Sequence, residues 1–406
     1  MAVGEFNWPG VLPVNGVRLA VTKSGVKYSD RFDTALIEIC EGASVSGVFT
    51  RNKFCAEPIK ICLEHLRKAK PRYLLINSGN ANACTGAAGY EAALATCEAV
   101  ASKTNVALES VLPFSTGVIG EVLPAKKIVQ AVPSAVNALH IDNWHQVAKA
   151  IMTTDTRAKG WSESIELGGQ KITISGIAKG AGMIKPNMGT MLAYVATDAK
   201  VAQPVLDKLI HNVANKSFNR ITVDGDTSTN DALILIASGK ASNPEIHDLS
   251  SGDAQTLQEA ITRVCQRLAL EMVRDAEGAT KCVQVTVSGG ASAQDCLDVA
   301  YAICHSPLVK TAMFASDPNW GRIVAAIGYA GVEVLDPSRV QVKLDNVSIV
   351  ENGGRATSYR EELGQKVFDQ AEFSINVDLG LGDQEETLWT SDLSHEYIKV
   401  NAEYRT

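Results

Sequence analysis

Residues 187–199, NMGTMLAYVATDA, set Thr190 directly behind Gly189 at the mouth of an apolar, strand-like run. A threonine hydroxyl is a weak nucleophile at neutral pH and needs a base. His145 lies well upstream and His211 well downstream, so no neighbour in sequence supplies one. A threonine that becomes a chain terminus carries its own base. Its free α-amine titrates at about 7.7–8.0, which suits general-base work at cellular pH. Gly189, lacking a Cβ, tolerates the strained backbone that such a step needs. The Thr190 hydroxyl would attack the Gly189 carbonyl, the acyl group would move from nitrogen to oxygen, and water would release the new N-terminus. Read in isolation, a Gly–Thr pair before a strand is an ordinary turn, so other residues have to decide between the two.

Three other places bear on that choice. Lys179 precedes the glycines of KGAG (179–182), where an ammonium suits a substrate carboxylate as a point charge; alone, it reads as a solvated loop lysine. Glu277 closes a long helical pattern (255–277) and precedes Gly278. A helix C-terminus disfavours negative charge, so a local task, such as holding a substrate ammonium, would account for it. Thr406 ends the sequence, and its α-carboxylate is a ready anion. Chain ends ordinarily fray, so a working tail predicts that removing residues 401–406 abolishes activity. DGDTSTND (224–231) is rich in carboxylates but lacks the spacing of a calcium loop. NSGNANACTG (77–86) fits neither phosphate-loop pattern and reads as a turn packing near a cleft. Arg322, in DPNWGR, is left between a partner chain and a carboxylate.

The elements that must position these residues alternate along the chain. Residues 72–86 read as a buried strand breaking into a Gly/Asn loop, and 91–103 as a helix. Residues 111–124 read as a strand end followed by a glycine turn. Helices are expected at 126–138, with Pro133 a possible break, and at 143–152. Residues 161–180 alternate around Gly168–Gly169 as a hairpin. Beyond the strand headed by Thr190 come a helix (204–215), a strand (232–238), the long helix (255–277), a strand (282–290) and a helix (293–304). Strands near 340–344 and 373–377 flank a helix at 359–370. This alternation predicts an α/β (α+β) layered sandwich with mixed sheets. Its break is chemical rather than compositional and falls between Gly189 and Thr190, giving segments 1–189 and 190–406.

Bulk properties bound the function. The chain has 406 residues, 46% hydrophobic and 20% charged, with a net charge of −7, which argues against a large nucleic-acid footprint. No run reaches the roughly 18–20 apolar residues of a membrane span, and the N-terminus lacks the pattern of a signal peptide. Nine cysteines without a C-x-x-C pair point to a reducing, cytoplasmic compartment rather than to disulfides or structural zinc.

KGAGMIKPNMGTMLAYVATDA (179–199) resembles the self-cleavage signature of the ornithine acetyltransferase family, the bifunctional glutamate/ornithine acetyltransferases of arginine biosynthesis. NSGNANACTG, STGVIGEVLP (115–124), MTTDT (152–156), DGDTSTND, RDAEGATK (274–281), DPNWGRI (317–323) and the tail VNAEYRT (400–406) follow in the family's order, so the likeness spans essentially the whole chain. The family more often carries alanine at the position of Gly189. The resemblance implies a self-cleaving, N-terminal-nucleophile-type enzyme. It would be cut between Gly189 and Thr190 into α and β chains that stay associated, typically as a heterotetramer of two α and two β. Thr190 would take acetyl from N2-acetylornithine and pass it to glutamate. Thr116 and Gly117 would form the oxyanion hole, and Thr153, Lys179, Thr190, Glu277, Asn401 and Thr406 would bind substrate. Without the resemblance Thr116–Gly117 reads as a glycine turn and Thr153 as a helix cap. No metal or cofactor is implied, and acetyl-CoA stays open as a co-substrate. The rival readings are a related self-processing amidase or aminopeptidase, and a non-catalytic, uncleaved protein of the same fold.

Overall fold

A computed structural model describes residues 2–185 and 191–403. Gly189, Thr190 and Thr406 lie outside the described residues. Among the described residues the strands form three mixed sheets. Val17–Thr22, Thr34–Ile39, Tyr73–Asn80 and Val111–Val118 make the first. Ser44–Phe49, Ala232–Ala237, Leu192–Thr197, Gln170–Lys179 and Lys159–Leu167 make the second, in that order.

The first two sheets pack face to face. Ile37, Leu74, Ile76, Leu112 and Phe114 of one meet Val45, Ile177, Tyr194 and Ile234 of the other. Phe114 and Tyr194 bridge them edge-on, with ring centroids 5.4 Å apart. Each sheet buries its outer face too. Leu36, Tyr73 and Leu75 lie under the helices Gly86–Thr104 and Ala125–Asn137. Ile174, Val195, Leu233 and Leu235 lie under Gln203–Asn215 and Gly252–Arg274. Strands covered on both faces are apolar along their whole length, which is why Leu192–Thr197 and Ala232–Ala237 are buried at every position. The layered, mixed-sheet architecture expected from the alternation of elements is therefore the one adopted. The remaining strands form a seven-stranded sheet, centred on Cys282–Gly290 and Glu372–Asp378. Helices Ala293–His305, Trp320–Gly328 and Glu361–Phe368 contribute to its separate core.

Three details depart from expectation. The strand Val111–Val118 runs through Thr116 and Gly117 instead of ending in a turn before them. The long helix ends at Arg274, so Glu277 sits in a turn beyond it, where the argument from the helix C-terminus does not apply. Pro133 leaves the helix Ala125–Asn137 unbroken; it faces solvent, where water can satisfy the carbonyl it leaves unpaired.

The expected 189/190 boundary does not separate two structural units. Gln170–Lys179 pairs antiparallel with Leu192–Thr197, residue Lys179 opposite Leu192. A cut there would leave pieces that share one sheet and one core.

Candidate active site

Six of the residues singled out by the sequence line one cavity of about 350 Å³: Thr116, Gly117, Thr153, Lys179, Glu277 and Asn401. Met191 and Leu192, which follow Thr190 directly, line it too. Thr190 and Thr406 fall outside the described residues. Arg322 is elsewhere: its guanidinium donates to the Leu308 carbonyl at 2.7 Å and to Thr311 Oγ1 at 3.2 Å, tying together two helices.

Thr116 and Gly117 owe their position to a close approach of two strands. Gly117 pairs with Gly79, and the register slips at Gly79 and Asn80. Both glycines have positive φ, +137° and +97°. A Cβ on Gly117 would lie 2.3 Å from the Gly79 carbonyl carbon and 2.5 Å from Asn80 N, so only glycine fits. Buried asparagines hold the irregular backbone. Asn77 Nδ2 donates to Asn80 O at 2.9 Å, and Ser115 Oγ donates to Asn77 Oδ1 at 2.6 Å. From the other segment, Asn230 Nδ2 donates to Ala81 O at 2.6 Å and Ser115 O at 2.9 Å. The NSGNANACTG and DGDTSTND blocks thus meet behind Thr116.

Lys179 ends its strand with Nζ donating to Thr153 Oγ1 at 2.8 Å and Thr116 Oγ1 at 3.2 Å. A hydroxyl that accepts from an ammonium keeps its own proton free to donate elsewhere. Burial lowers the Lys179 pKa from its ordinary value; Asp155 opposes that shift. Behind Lys179 lies a fully buried ion cluster. Lys159 Nζ contacts Asp155 Oδ1 and Asp275 Oδ2, each at 2.6 Å, with all three side chains at 0% exposure. Gly180 N–H and Thr153 N–H also donate to Asp155, at 2.7 Å and 3.1 Å. Burial opposes ionisation of Asp155, but the charges of Lys159 and Lys179 outweigh it and hold its carboxyl well below the usual carboxylate range. Burial likewise works against the Lys159 charge, and the two carboxylates more than reverse it, raising the pKa.

A second wall is built differently. Glu277 N–H donates to Ala181 O at 2.9 Å, and its carboxylate rests against Gly182, where a Cβ would come within 2.3 Å of Oε2. Asn401 Nδ2 donates to Glu277 Oε2 at 2.8 Å. Asn401 belongs to the helix His395–Ala402, which buries no residue. Polar contacts hold that helix. Ser394 Oγ donates to Gly278 O at 2.6 Å, and the Tyr397 hydroxyl donates to Asp224 Oδ2 at 3.2 Å. Burial, and then Asp224, raise the Tyr397 pKa far above its ordinary value, so the phenol stays a donor. Asp224 also accepts from Met183 N–H at 2.6 Å and Ile184 N–H at 2.8 Å. These bonds steady Met183 at φ +54°, a conformation that costs a non-glycine residue about 1–2 kcal/mol.

Asp155, Lys159, Asp275, Asn230, Asp224 and Tyr397 were not singled out from the sequence. All but Lys159 and Tyr397 stand inside blocks already noted for other reasons, so the available signal was a buried-type polar residue within a marked block. Among the described residues no group of three or more His, Cys, Asp or Glu side chains is placed to hold a metal ion. No helix there is long and apolar enough to cross a membrane.

Residues 18–406 match the ArgJ family. The chain is 54% identical over 406 residues, covering all of both chains, to the arginine biosynthesis bifunctional protein ArgJ of Pseudomonas syringae pv. tomato. It is 52% identical, again over the full length of both, to the protein of that name in Pseudomonas fluorescens. A crystal structure of arginine biosynthesis bifunctional protein ArgJ from Bacillus halodurans is 37% identical with a TM-score of 0.50, the match covering 52% of this chain and 99% of that one.

Proposed function

The chain belongs to the ArgJ family, and on that premise we propose that it transfers an acetyl group from N2-acetylornithine to glutamate through an ester on Thr190. The carrying observation is the convergence of Thr116, Gly117, Thr153, Lys179, Glu277 and Asn401 on the cavity that Met191 also lines. Self-cleavage between Gly189 and Thr190 supplies the nucleophile with its α-amine. The half-length Bacillus halodurans chain supports this, because the piece from 190 to 406 is slightly more than half of the sequence.

The first half-reaction follows from the chemistry. The Thr190 amine accepts the hydroxyl proton as Oγ attacks the acetyl carbonyl. The oxyanion accepts hydrogen bonds from the Thr116 hydroxyl and the Gly117 N–H. Lys179, donating to Thr116 Oγ1, leaves the Thr116 proton for that task. The C–N bond then breaks, the departing amine takes the proton, and ornithine leaves. In the second half-reaction the neutral glutamate amine attacks the ester, the oxyanion is held as before, the ester C–O bond breaks, and the proton that the glutamate amine loses passes through the Thr190 amine to Oγ. Each preorganised donor is worth about 2.7–4 kcal/mol in such a site. Thr153 and Lys179 serve the α-carboxylate common to both amino acids. Glu277, with Asn401 and Thr406, serves the ornithine ammonium.

In this reading the Thr190 hydroxyl also takes acetyl from acetyl-CoA, forming the same ester and releasing the thiol, and the pieces assemble as two α and two β in the cytoplasm. Intact mass of purified protein should give two pieces, and Thr190→Ala one uncut chain. With acetylornithine and glutamate the product should be acetylglutamate; release of acetate alone would make the protein a hydrolase. Labelled acetyl-CoA in place of acetylornithine tests the second donor, and native mass tests the assembly.

A further inference from the structure

Ornithine and glutamate present the same α-carboxylate and α-amine but side chains of opposite charge. Glu277 attracts an ammonium and repels a carboxylate, so a subsite that suits ornithine works against glutamate. Lys179 is already engaged by Thr116 and Thr153 and serves the group both substrates share. A second cavity, of about 240 Å³, adjoins the first. Gly117, Val118, Thr153 and Thr154 line both; Glu277 lines only the first, and Lys27, Tyr28 and Arg31 only the second of the two. The second carries two cations against one carboxylate, Glu403, among its described lining residues.

These cations are tied to the reacting centre. The Lys27 Cβ packs 2.8 Å from where a Cβ on Gly79 would stand, and Gly79 is the strand partner of Gly117. Arg31 Nη2 donates at 2.8 Å to the carbonyl of Met152, the residue before Thr153. Its Nε is buried without a hydrogen-bond partner among the described residues. Lys27 and Arg31 both sit over the Tyr28 ring, at 5.4 Å and 4.9 Å. Asp33 secures the base of their loop, accepting from Ser24 N–H at 2.7 Å and Val26 N–H at 2.6 Å.

Resting on the acetyl-transfer reading above, we propose that the two amino acids use different side-chain subsites: Glu277 and Asn401 take the ornithine ammonium, and Lys27 and Arg31 take the γ-carboxylate of glutamate. Charge complementarity then selects each substrate for its own half-reaction.

In ping-pong transfer kcat/KM for each substrate reports its own half-reaction, so the test is internal. Arg31→Met and Lys27→Met should each lower kcat/KM for glutamate at least tenfold more than they lower that for acetylornithine. With 2-aminobutyrate, which has no γ-carboxylate, as acceptor, the variants should lose no more than they lose with acetylornithine. The preference for glutamate over 2-aminobutyrate should therefore shrink tenfold, and Arg31→Lys should restore most of it. Equal losses for both substrates, or no loss for glutamate, would overturn the proposal. Should Arg31→Met fail to fold, Lys27→Met, at an exposed position, decides alone. A wild-type protein that makes no acetylglutamate would instead remove the reading on which the proposal rests.

Discussion

The two walls of the cavity are built on opposite principles. Thr116, Gly117 and Lys179 stand on strands that pair with Tyr73–Asn80 and Leu192–Thr197, which are buried at every position, backed by the Lys159 cluster at zero exposure. Glu277 and Asn401 stand on a turn and on a helix that buries nothing. The first wall is preorganised, as a group that meets developing charge must be. The second is held by a handful of hydrogen bonds. Such a wall can yield as substrates of different shape enter and leave, because regions with few buried contacts open at low cost.

The sharpest way to test the contrast is to break the first wall from behind. Lys159→Met leaves Asp155 and Asp275 buried without their cation. Removing one partner of a buried pair costs about 3–5 kcal/mol, a large share of the roughly 5–15 kcal/mol of a typical fold. The expected outcome is a strongly lowered urea midpoint or insoluble protein. A near-normal midpoint would mean that the cluster does not hold the wall.

Next comes Thr116→Val, which removes a hydroxyl and keeps the shape. Loss of one oxyanion donor should lower kcat about 10²–10³-fold, with the free energy of unfolding from urea titration changed by less than about 1 kcal/mol, because Lys179 keeps Thr153. A matched loss of stability would place Thr116 among the structural residues instead.

The first wall should also carry a pH signature. The folded-state pKa of Asp155 is depressed, so the unfolded chain takes up the proton first as pH falls. Its contribution is fully present above the ordinary aspartate value of about 4 and is lost on further acidification, towards its depressed value. Lys159, raised in the fold, contributes fully below the ordinary lysine value of about 10.4 and loses that contribution as pH climbs through its raised one. Urea midpoints from pH 2 to 5 should fall more steeply for the wild type than for Asp155→Asn. Parallel curves would remove Asp155 from the acid response.

How much of this could be read from the chain differs between the walls for the same physical reason. The Gly168–Gly169 hairpin was legible because its turn chemistry and alternation are local; both glycines have positive φ, +55° and +74°. In the sequence Glu277 stands out for an expected place at a helix end, yet the helix stops at Arg274. There Asp275 turns its carboxylate to Lys159 and Thr156, a tertiary pull that no periodicity records. Thr116–Gly117 read as a turn because Gly117 looks like a breaker; its cause is Gly79, on a different strand. Asp155 and Asp275 stand in marked blocks, but their pairing was not legible, since Asp155, Lys159 and Asp275 come together only through folding. The tail's terminal anion could be named from the sequence, but its docking could not, because nothing local distinguishes a docked end from a frayed one.

The smallest predicted effect probes the second wall alone. Tyr397→Phe removes one hydroxyl and, with it, the bond to Asp224 at 3.2 Å. Asp224 keeps its backbone donors at Met183 and Ile184, so that turn should hold. The tail helix buries no residue and its stability weight is small, so the free energy of unfolding from urea titration should stay within about 0.5 kcal/mol of the wild type. What changes is how often the helix is docked with Asn401 against Glu277. A lost hydrogen bond of about 1 kcal/mol should lower kcat/KM for acetylornithine about fivefold, mostly through KM, because the oxyanion wall is untouched. A stability loss approaching that of Lys159→Met would make the tail part of the rigid frame. An unchanged kcat/KM would mean that Ser394 and Gly278 dock the helix without help from Tyr397.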